Sequence, residues 1–168
     1  MAFAKGMASG FPAMVLGGRR ELMTRPPFGS PGGASTTFGG NPLAIAAMHV
    51  TLEVYREERL CQNAAALEPV LAARLTEMAA RYPEIGQARV RGLFACLDLV
   101  KDPISKEPDD AFGLALHREC MALGLKTFAF GHIFRIAPPL TITAAELHQG
   151  LDRVERALGQ MSRAARAA

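Results

Sequence analysis

At 168 residues the chain is long enough for one ordinary domain with a sizeable core, and 49% hydrophobic against 21% charged residues is a globular composition. The net charge of +3 is lopsided: residues 1–50 hold Lys5, Arg19, Arg20 and Arg25 against Glu21 alone, while the remainder balances, which suits a small anionic ligand. With no Trp and no Lys/Arg run interleaved with aromatics, the chain offers neither a stacking platform nor a basic stripe for nucleic acid.

Lys5 comes first along the chain, in Met1-Ala2-Phe3-Ala4-Lys5-Gly6-Met7, an ammonium among small and apolar neighbours. Two readings stand side by side. It is a lysine near a frayed terminus, or it is an amine whose apolar surroundings disfavour the charged form and free it to attack a carbonyl. Residues 8–18 read as a loop leading into a short buried strand, with glycines at both ends. Residues 26–36, rich in proline and glycine, cannot hold a regular element, and so long an irregular stretch is more often functional than idle.

The next signal is a helix start in Thr37-Phe38-Gly39-Gly40-Asn41-Pro42-Leu43-Ala44, where Asn41 suits the N-cap and Pro42 the first helical position. The helix is expected to run to about Arg56. Glycines that allow close approach and hydroxyls at Ser35, Thr36 and Thr37 before a positive helix end are the parts of an anion site; the plainer reading is a well-capped turn. A second helix is expected over 62–81, with Ala64, Leu67, Leu71, Leu75 and Met78 on one face. Pro69 leaves two options, a helix beginning there or a kinked one.

Residues 88–100 read as one strand, ended by Lys101-Asp102-Pro103, and a polar loop leads to Asp110. Residues 111–123 look helical and stop at Gly124. Two short strands follow near 125–130 and 133–137, the second carrying Arg135 inside Ile133-Phe134-Arg135-Ile136-Ala137. That arginine is either a surface residue on an edge strand or a guanidinium that grips a carboxylate with two parallel hydrogen bonds. The last helix has the clearest pattern: Thr143-x-x-Glu146 is a capping box, and Leu147, Leu151, Val154, Leu158 and Met161 recur on one stripe, with Arg163 and Arg166 expected to fray.

Cys61, Cys96 and Cys120 form no CxxC pair, which argues against a disulfide framework and for a reducing, cytoplasmic setting. His117 and Cys120 have helical spacing but no further ligand nearby, so no metal site is expected. The largely apolar opening lacks a basic n-region and a cleavage site, and no membrane segment is expected.

Taken in order, these pieces resemble a known family. Ala4-Lys5-Gly6-Met7-Ala8-Ser9-Gly10-Phe11-Pro12, Thr37 to Ala44, and Phe134-Arg135-Ile136-Ala137-Pro138-Pro139-Leu140-Thr141-Ile142-Thr143 are similar to segments in the C-terminal part of class III aminotransferases, which depend on pyridoxal 5'-phosphate and have fold type I. The resemblance implies an α/β fold in which residues 1–50 end the cofactor-binding large domain and residues 51–168 form the small domain. It implies that Lys5 carries the cofactor as a Schiff base and shuttles a proton, and that Thr37 reaches the cofactor phosphate of the neighbouring subunit in a homodimer. It also implies that Arg135 binds the substrate carboxylate.

Within the family the chain looks most similar to members using pyruvate or glyoxylate as acceptor, such as alanine–glyoxylate aminotransferases. Val90 stands where members usually carry glycine, so the turn near it is expected to differ. The resemblance also places the ring-stacking aromatic and the ring-nitrogen aspartate ahead of Lys5, where this chain has no residues for them. A truncated aminotransferase, inactive alone, is the resulting expectation. The alternatives are an aminomutase or decarboxylase relative, and a non-catalytic remnant that binds a partner.

Overall fold

The computed structural model describes residues 1–33 and 35–167, with side chains as far as Ser162, so Ala34 and the side chains of Arg163 and Arg166 lie outside the described residues. The chain divides into two compact units, Met1–Arg59 and Leu60–Ala168. The boundary expected between residues 50 and 51 falls inside a helix.

The first unit holds β1 (Ala2–Phe3), a 3-10 turn (Lys5–Ala8), β2 (Val15–Leu16), α1 (Arg20–Met23) and α2 (Pro42–Glu57). β1 and β2 pair antiparallel, with Ala2 opposite Leu16. The strand expected within 8–18 is therefore two residues long, and Leu16 is exposed rather than buried because no further layer covers so small a ribbon. α2 follows the sequence: Asn41 caps it, Pro42 opens it, and it runs one residue past the expected Arg56. Among the described residues of this unit only Ala8, Ala44 and Thr51 are buried, while Phe11, Met14, Phe38, Leu43 and Ile45 face solvent.

The second unit has a core of its own. It comprises α3 (Leu60–Arg81), β3 (Ile85–Arg91), β4 (Phe94–Leu99), α4 (Asp110–Ala122), β5 (Phe128–Phe130), β6 (Ile133–Ile136) and α5 (Ala144–Ala167). The strands form one antiparallel sheet in the order β3-β4-β6-β5. Alternation along the strands sends Ala88, Val90, Ala95, Leu97, Phe134 and Ile136 to one face, where they pack with Leu71, Leu75 and Met78 of α3, Leu116 and Cys120 of α4, and Leu151, Val154 and Leu158 of α5. Each such aliphatic or aromatic side chain contributes about 1.5–3 kcal/mol when fully buried. The other face carries Arg89, Arg91, Phe94, Cys96, Arg135 and Phe128, and among the described residues no helix of this unit packs its core stripe on it.

Two local expectations are corrected here. Residues 88–100 are not one strand but most of the β3–β4 hairpin, which turns at Gly92-Leu93 with Gly92 at φ +58°, a conformation glycine adopts without strain. Val90 consequently lies in a strand opposite Ala95 rather than at a turn. Pro69 does not start α3 but lies inside it, nine residues after Leu60. The capping box of α5 is formed in full, with the Thr143 amide and hydroxyl donating to Glu146 Oε2 at 2.9 and 2.8 Å and the Glu146 amide donating to Thr143 Oγ1 at 3.2 Å. Among the described residues no helix is long and apolar enough to cross a membrane.

Candidate active site

Lys5 stands at the start of the 3-10 turn with φ +61°, in the left-handed region. For a residue with a side chain that conformation costs about 1–2 kcal/mol, and such strain collects where surrounding structure holds a functional group in place. The holding contacts are visible. Ala8 is fully buried beneath the turn, and Ser9 Oγ lies 3.2 Å from Thr51 Oγ1 on α2. Because the Thr51 hydroxyl gives its proton to the Ala47 carbonyl at 2.7 Å, Ser9 must be the donor in that pair. Tyr55, also on α2, places its hydroxyl 3.9 Å from where a Cβ on Gly6 would be. The Lys5 side chain itself is exposed, as are Ala2, Phe3 and Ala4. This corrects the reading of an apolar enclosure: the neighbours in sequence face solvent with it, so among the described residues of this unit the amine is not enclosed.

Thr37 opens the turn Thr37–Gly40 ahead of α2. The turn is closed by the Gly39 amide on Thr36 O at 2.9 Å and the Asn41 amide on Phe38 O at 3.1 Å, with Gly40 at φ +75°. Asn41 Oδ1 then accepts from the Leu43 and Ala44 amides at 2.9 and 3.3 Å. Pro42 has no amide proton, so the donors expected to greet an anion are already engaged by the cap. What remains for a ligand is the positive field of the helix end and the exposed hydroxyls of Thr36 and Thr37. Ser35 gives its hydroxyl to Gly32 O at 3.4 Å.

Arg135 lies on β6, an inner strand between β4 and β5, which removes the edge-strand reading. It projects from the uncovered face of the sheet, and among the described residues no carboxylate lies within ion-pair distance of it; the nearby Arg89 and Asp98 pair with each other at 2.6 Å. Its guanidinium carbon sits 5.4 Å from the centroid of Phe94 and 5.1 Å from that of Phe128. A cavity of about 630 Å³ opens beside it, walled by Leu125, Phe128, Pro138, Pro139, Ile142 and Leu147. Asn63 Nδ2 donates to Leu140 O and Ile142 O at 2.8 and 3.0 Å and so ties one wall of that cavity to α3.

The hairpin that carries Arg135 is pinned at its tip. Asp110 Oδ1 accepts from the His132 amide at 2.8 Å and from His132 Nδ1 at 2.9 Å. The His132 side chain, with its backbone, holds the Asp110 carboxyl below the usual carboxylate range. Gly131 and Gly113 let hairpin and helix approach so closely that a Cβ on Gly113 would stand 2.1 Å from Gly131 O. Neither this pin nor the two phenylalanines stood out in the sequence; alternation in Phe94-Ala95-Cys96 and Phe128-Ala129-Phe130 was the available sign that those rings share a face. His117 Nδ1 meets Thr127 Oγ1 at 2.9 Å and Cys120 is fully buried, so the helical His/Cys pair serves packing.

Of the three residues singled out from sequence, Lys5 and Thr37 thus belong to the first unit and Arg135 to the second. Comparison with known proteins is consistent across the chain. It is 39% identical over 154 residues to a 4-aminobutyrate aminotransferase of Mycobacterium tuberculosis, covering 90% of this chain and 33% of that protein. It is 32% identical over 157 residues to an alanine/serine racemase of Pyrococcus horikoshii, covering 93% and 32%. A solved taurine:2-oxoglutarate aminotransferase from Bifidobacterium kashiwanohense, in complex with PLP and glutamate, superposes with a TM-score of 0.81 at 27% identity, over 96% of this chain and 38% of that one. The chain therefore spans about a third of the length of the curated relatives it matches. The family model for class-III aminotransferases matches residues 1–158, and the chain belongs to that family.

Proposed function

We propose that these residues serve a transaminase that moves an amino group from an amino acid or amine to a keto acid with pyridoxal 5'-phosphate, in the cytoplasm and as a homodimer. The Met1–Arg59 unit is the end of the cofactor-binding domain and the rest is the small domain. The observation that carries the reading is the strained backbone at Lys5, in a chain of this family, at the residue whose amine is suited to the cofactor aldehyde.

The donor set fits that group in kind: a primary amine at Lys5, and hydroxyls at Thr36 and Thr37 ahead of a positive helix end for a phosphate. When bound, pyridoxal phosphate supplies an electron sink for the bond broken at the substrate α-carbon. Lys5 Nζ would take the α-proton from the substrate and hold it for return. Thr37 would hold the phosphate through its hydroxyl, that of the neighbouring subunit in a homodimer. Arg135 takes the substrate carboxylate with two N–H donors and so fixes which bond at the α-carbon is aligned for cleavage. The three unpaired cysteines support a reducing compartment.

The test is to add pyridoxal phosphate to the purified chain, reduce with borohydride and map the modified peptide. Trapping on Lys5, lost in Lys5→Ala, is the expected outcome; labelling spread over surface lysines, undiminished in that variant, would refute the lysine assignment. The racemase relative supports a second reading, in which the proton returns to the α-carbon. Incubating the full protein with L-alanine separates the two: D-alanine without a keto acid marks racemisation, and amino transfer only with one marks transamination.

A further inference from the structure

The outward sheet face around Arg135 is more specific than a lone cation. The register sets Phe128 directly opposite Arg135 on β5, while Cys96 opposes it on β4 and Phe94 stands two residues away on the same face. Direct and diagonal cross-strand neighbours both lie within reach of an aromatic ring. The two rings flank the guanidinium carbon at 5.4 and 5.1 Å, one from each neighbouring strand, yet each ring is still about half exposed. A guanidinium attracted by ring faces on two sides loses less side-chain freedom when it binds, and its planar fork is presented already oriented.

The half of each ring left in solvent, together with the cavity lined by Leu125, Pro138, Pro139, Ile142 and Leu147, gives the charge an apolar surround. Lys126, Arg135 and Arg153 outnumber Glu146 among the charged residues lining that cavity, so it favours an anion.

We infer that Phe94 and Phe128 are positioning residues that clamp Arg135 as a preset carboxylate fork, and that the ligand class it selects is a carboxylate joined to an apolar body, aryl or branched alkyl. This rests on the reading of Arg135 as the carboxylate-binding group. The rings act through Arg135 by holding it and act on the ligand by covering its apolar part. A small carboxylate without such a body meets only the fork. A neutral amide of the same shape meets only the walls.

The experiment follows the Arg135 side-chain Nε–Hε resonance of the isotopically labelled 168-residue chain, assigned by its loss in Arg135→Ala, during titration with 3-phenylpropionate, acetate and 3-phenylpropionamide. Half-saturation by 3-phenylpropionate is expected at a concentration about tenfold below that for acetate, from burial of part of the phenyl surface, with no saturation by the amide. Phe94→Leu and Phe128→Leu should each raise the 3-phenylpropionate half-saturation about two- to fivefold and remove the ring-current shift of the Arg135 signal in the free chain. Phe130→Leu, on the same strand as Phe128 but with no ring over Arg135, should change neither.

If both leucine variants bind like the parent and leave the Arg135 signal in place, the clamp is wrong while the arginine reading stands. If acetate and 3-phenylpropionate saturate together, or the amide binds as well as the acid, the ligand class is wrong. If Arg135→Ala still shows 3-phenylpropionate shifts on Phe128 and Ile136 with the parent half-saturation, or if the acid does not bind the parent at all, the arginine reading itself falls and takes the clamp's ligand with it.

Discussion

Gly113 offers a test in which two physical effects pull in opposite directions. It lies in the interior of α4, where alanine is preferred over glycine by about 1 kcal/mol, so helix propensity alone predicts that Gly113→Ala stabilises. The geometry predicts the reverse. A Cβ there would meet the Gly131 carbonyl oxygen at 2.1 Å and the Gly131 carbonyl carbon and His132 Cα at 3.1 Å, all backbone atoms. Ordinary contact begins near 3.4 Å, so helix or hairpin must retreat by about 1 Å against repulsion that rises steeply with closeness. The hairpin is not free to give, because Asp110 holds His132 by two hydrogen bonds. Overpacking typically costs about 1–3 kcal/mol and a backbone clash belongs at the upper end; after the propensity gain, a net loss of about 1–2 kcal/mol remains. With a urea slope of about 1–3 kcal/mol per molar, the midpoint of the Leu60–Ala168 unit should fall by roughly 1 M. Gly150→Ala is the matched control: it too sits inside a helix, but its nearest contact would be Leu125 Cδ1 at 3.9 Å, so it should stabilise by up to about 1 kcal/mol. Urea unfolding of the full chain followed by circular dichroism reads both, and a Gly113→Ala midpoint equal to or above that of Gly150→Ala would refute the steric argument.

Stability should also fall in acid. The Thr143 amide, and then its hydroxyl, hold Glu146 below its ordinary 4.5, and the His132 side chain, then its amide, hold Asp110 below its ordinary 3.8. Each carboxyl binds its proton less readily folded than unfolded, so its contribution is present above those ordinary values and is lost as pH falls through the lower folded-state ones. Urea midpoints measured from pH 6 down to pH 3 should therefore decline at the acid end, and Glu146→Gln, which keeps an acceptor oxygen without titrating, should flatten that decline; an unchanged profile would show that the capping carboxylate is not linked to folding. Thiol reactivity should sort by burial, since Cys61 is exposed, Cys96 half-buried and Cys120 fully buried with its thiol pushed up to about 12 by desolvation. An aromatic disulfide reagent at pH 8 should label Cys61 fast and Cys120 only on unfolding, and rapid labelling of all three would contradict the packing of α4.

How far the fold could be read depended on whether local signals were decisive in themselves. The capping box at Thr143 and Glu146, the Asn41-Pro42 start and the stop at Gly124 are each satisfied by hydrogen bonds within a few residues, so sequence alone locates them. The β3–β4 turn was missed because the apolar alternation continues on both sides of Gly92, and only a positive φ at that residue marks the reversal. Pro69 was undecidable for a different reason. A proline inside a helix costs about 3 kcal/mol, and what outweighs it is tertiary: Leu67, Leu71, Leu75 and Met78 are all buried on the same α3 face while Pro69 points to solvent. Nothing local to Pro69 carries that information.

The site divides along the same line. Residue type and order indicated Lys5, Thr37 and Arg135, but the surroundings of each are set by packing. Around Arg135 the partners come from β5, its hairpin mate, and from β4, which is not consecutive with β6 in the chain, and the register of both decides that Phe94 and Phe128 flank the guanidinium. Around Thr37 the expected amide donors are taken because Asn41 caps the helix so completely, an outcome implicit in a strong N-cap: the better the side chain satisfies the helix end, the fewer amides it leaves for a ligand. Around Lys5 the contrast between the two units is the controlling fact. The Leu60–Ala168 unit buries its own aliphatic stripe, whereas the Met1–Arg59 unit buries only Ala8, Ala44 and Thr51 among its described residues and leaves Phe11, Phe38, Leu43 and Ile45 in solvent. Schiff-base chemistry at a lysine is favoured by a dry, apolar surround, and this unit holds the strained backbone and the amine without those walls. Among the described residues the strained turn at Lys5 is held by Ala8, Ser9 and Thr51 with Tyr55 close by, which makes Thr51→Val, by removing the hydroxyl that accepts from Ser9, the substitution that tests how far this contact positions the lysine backbone.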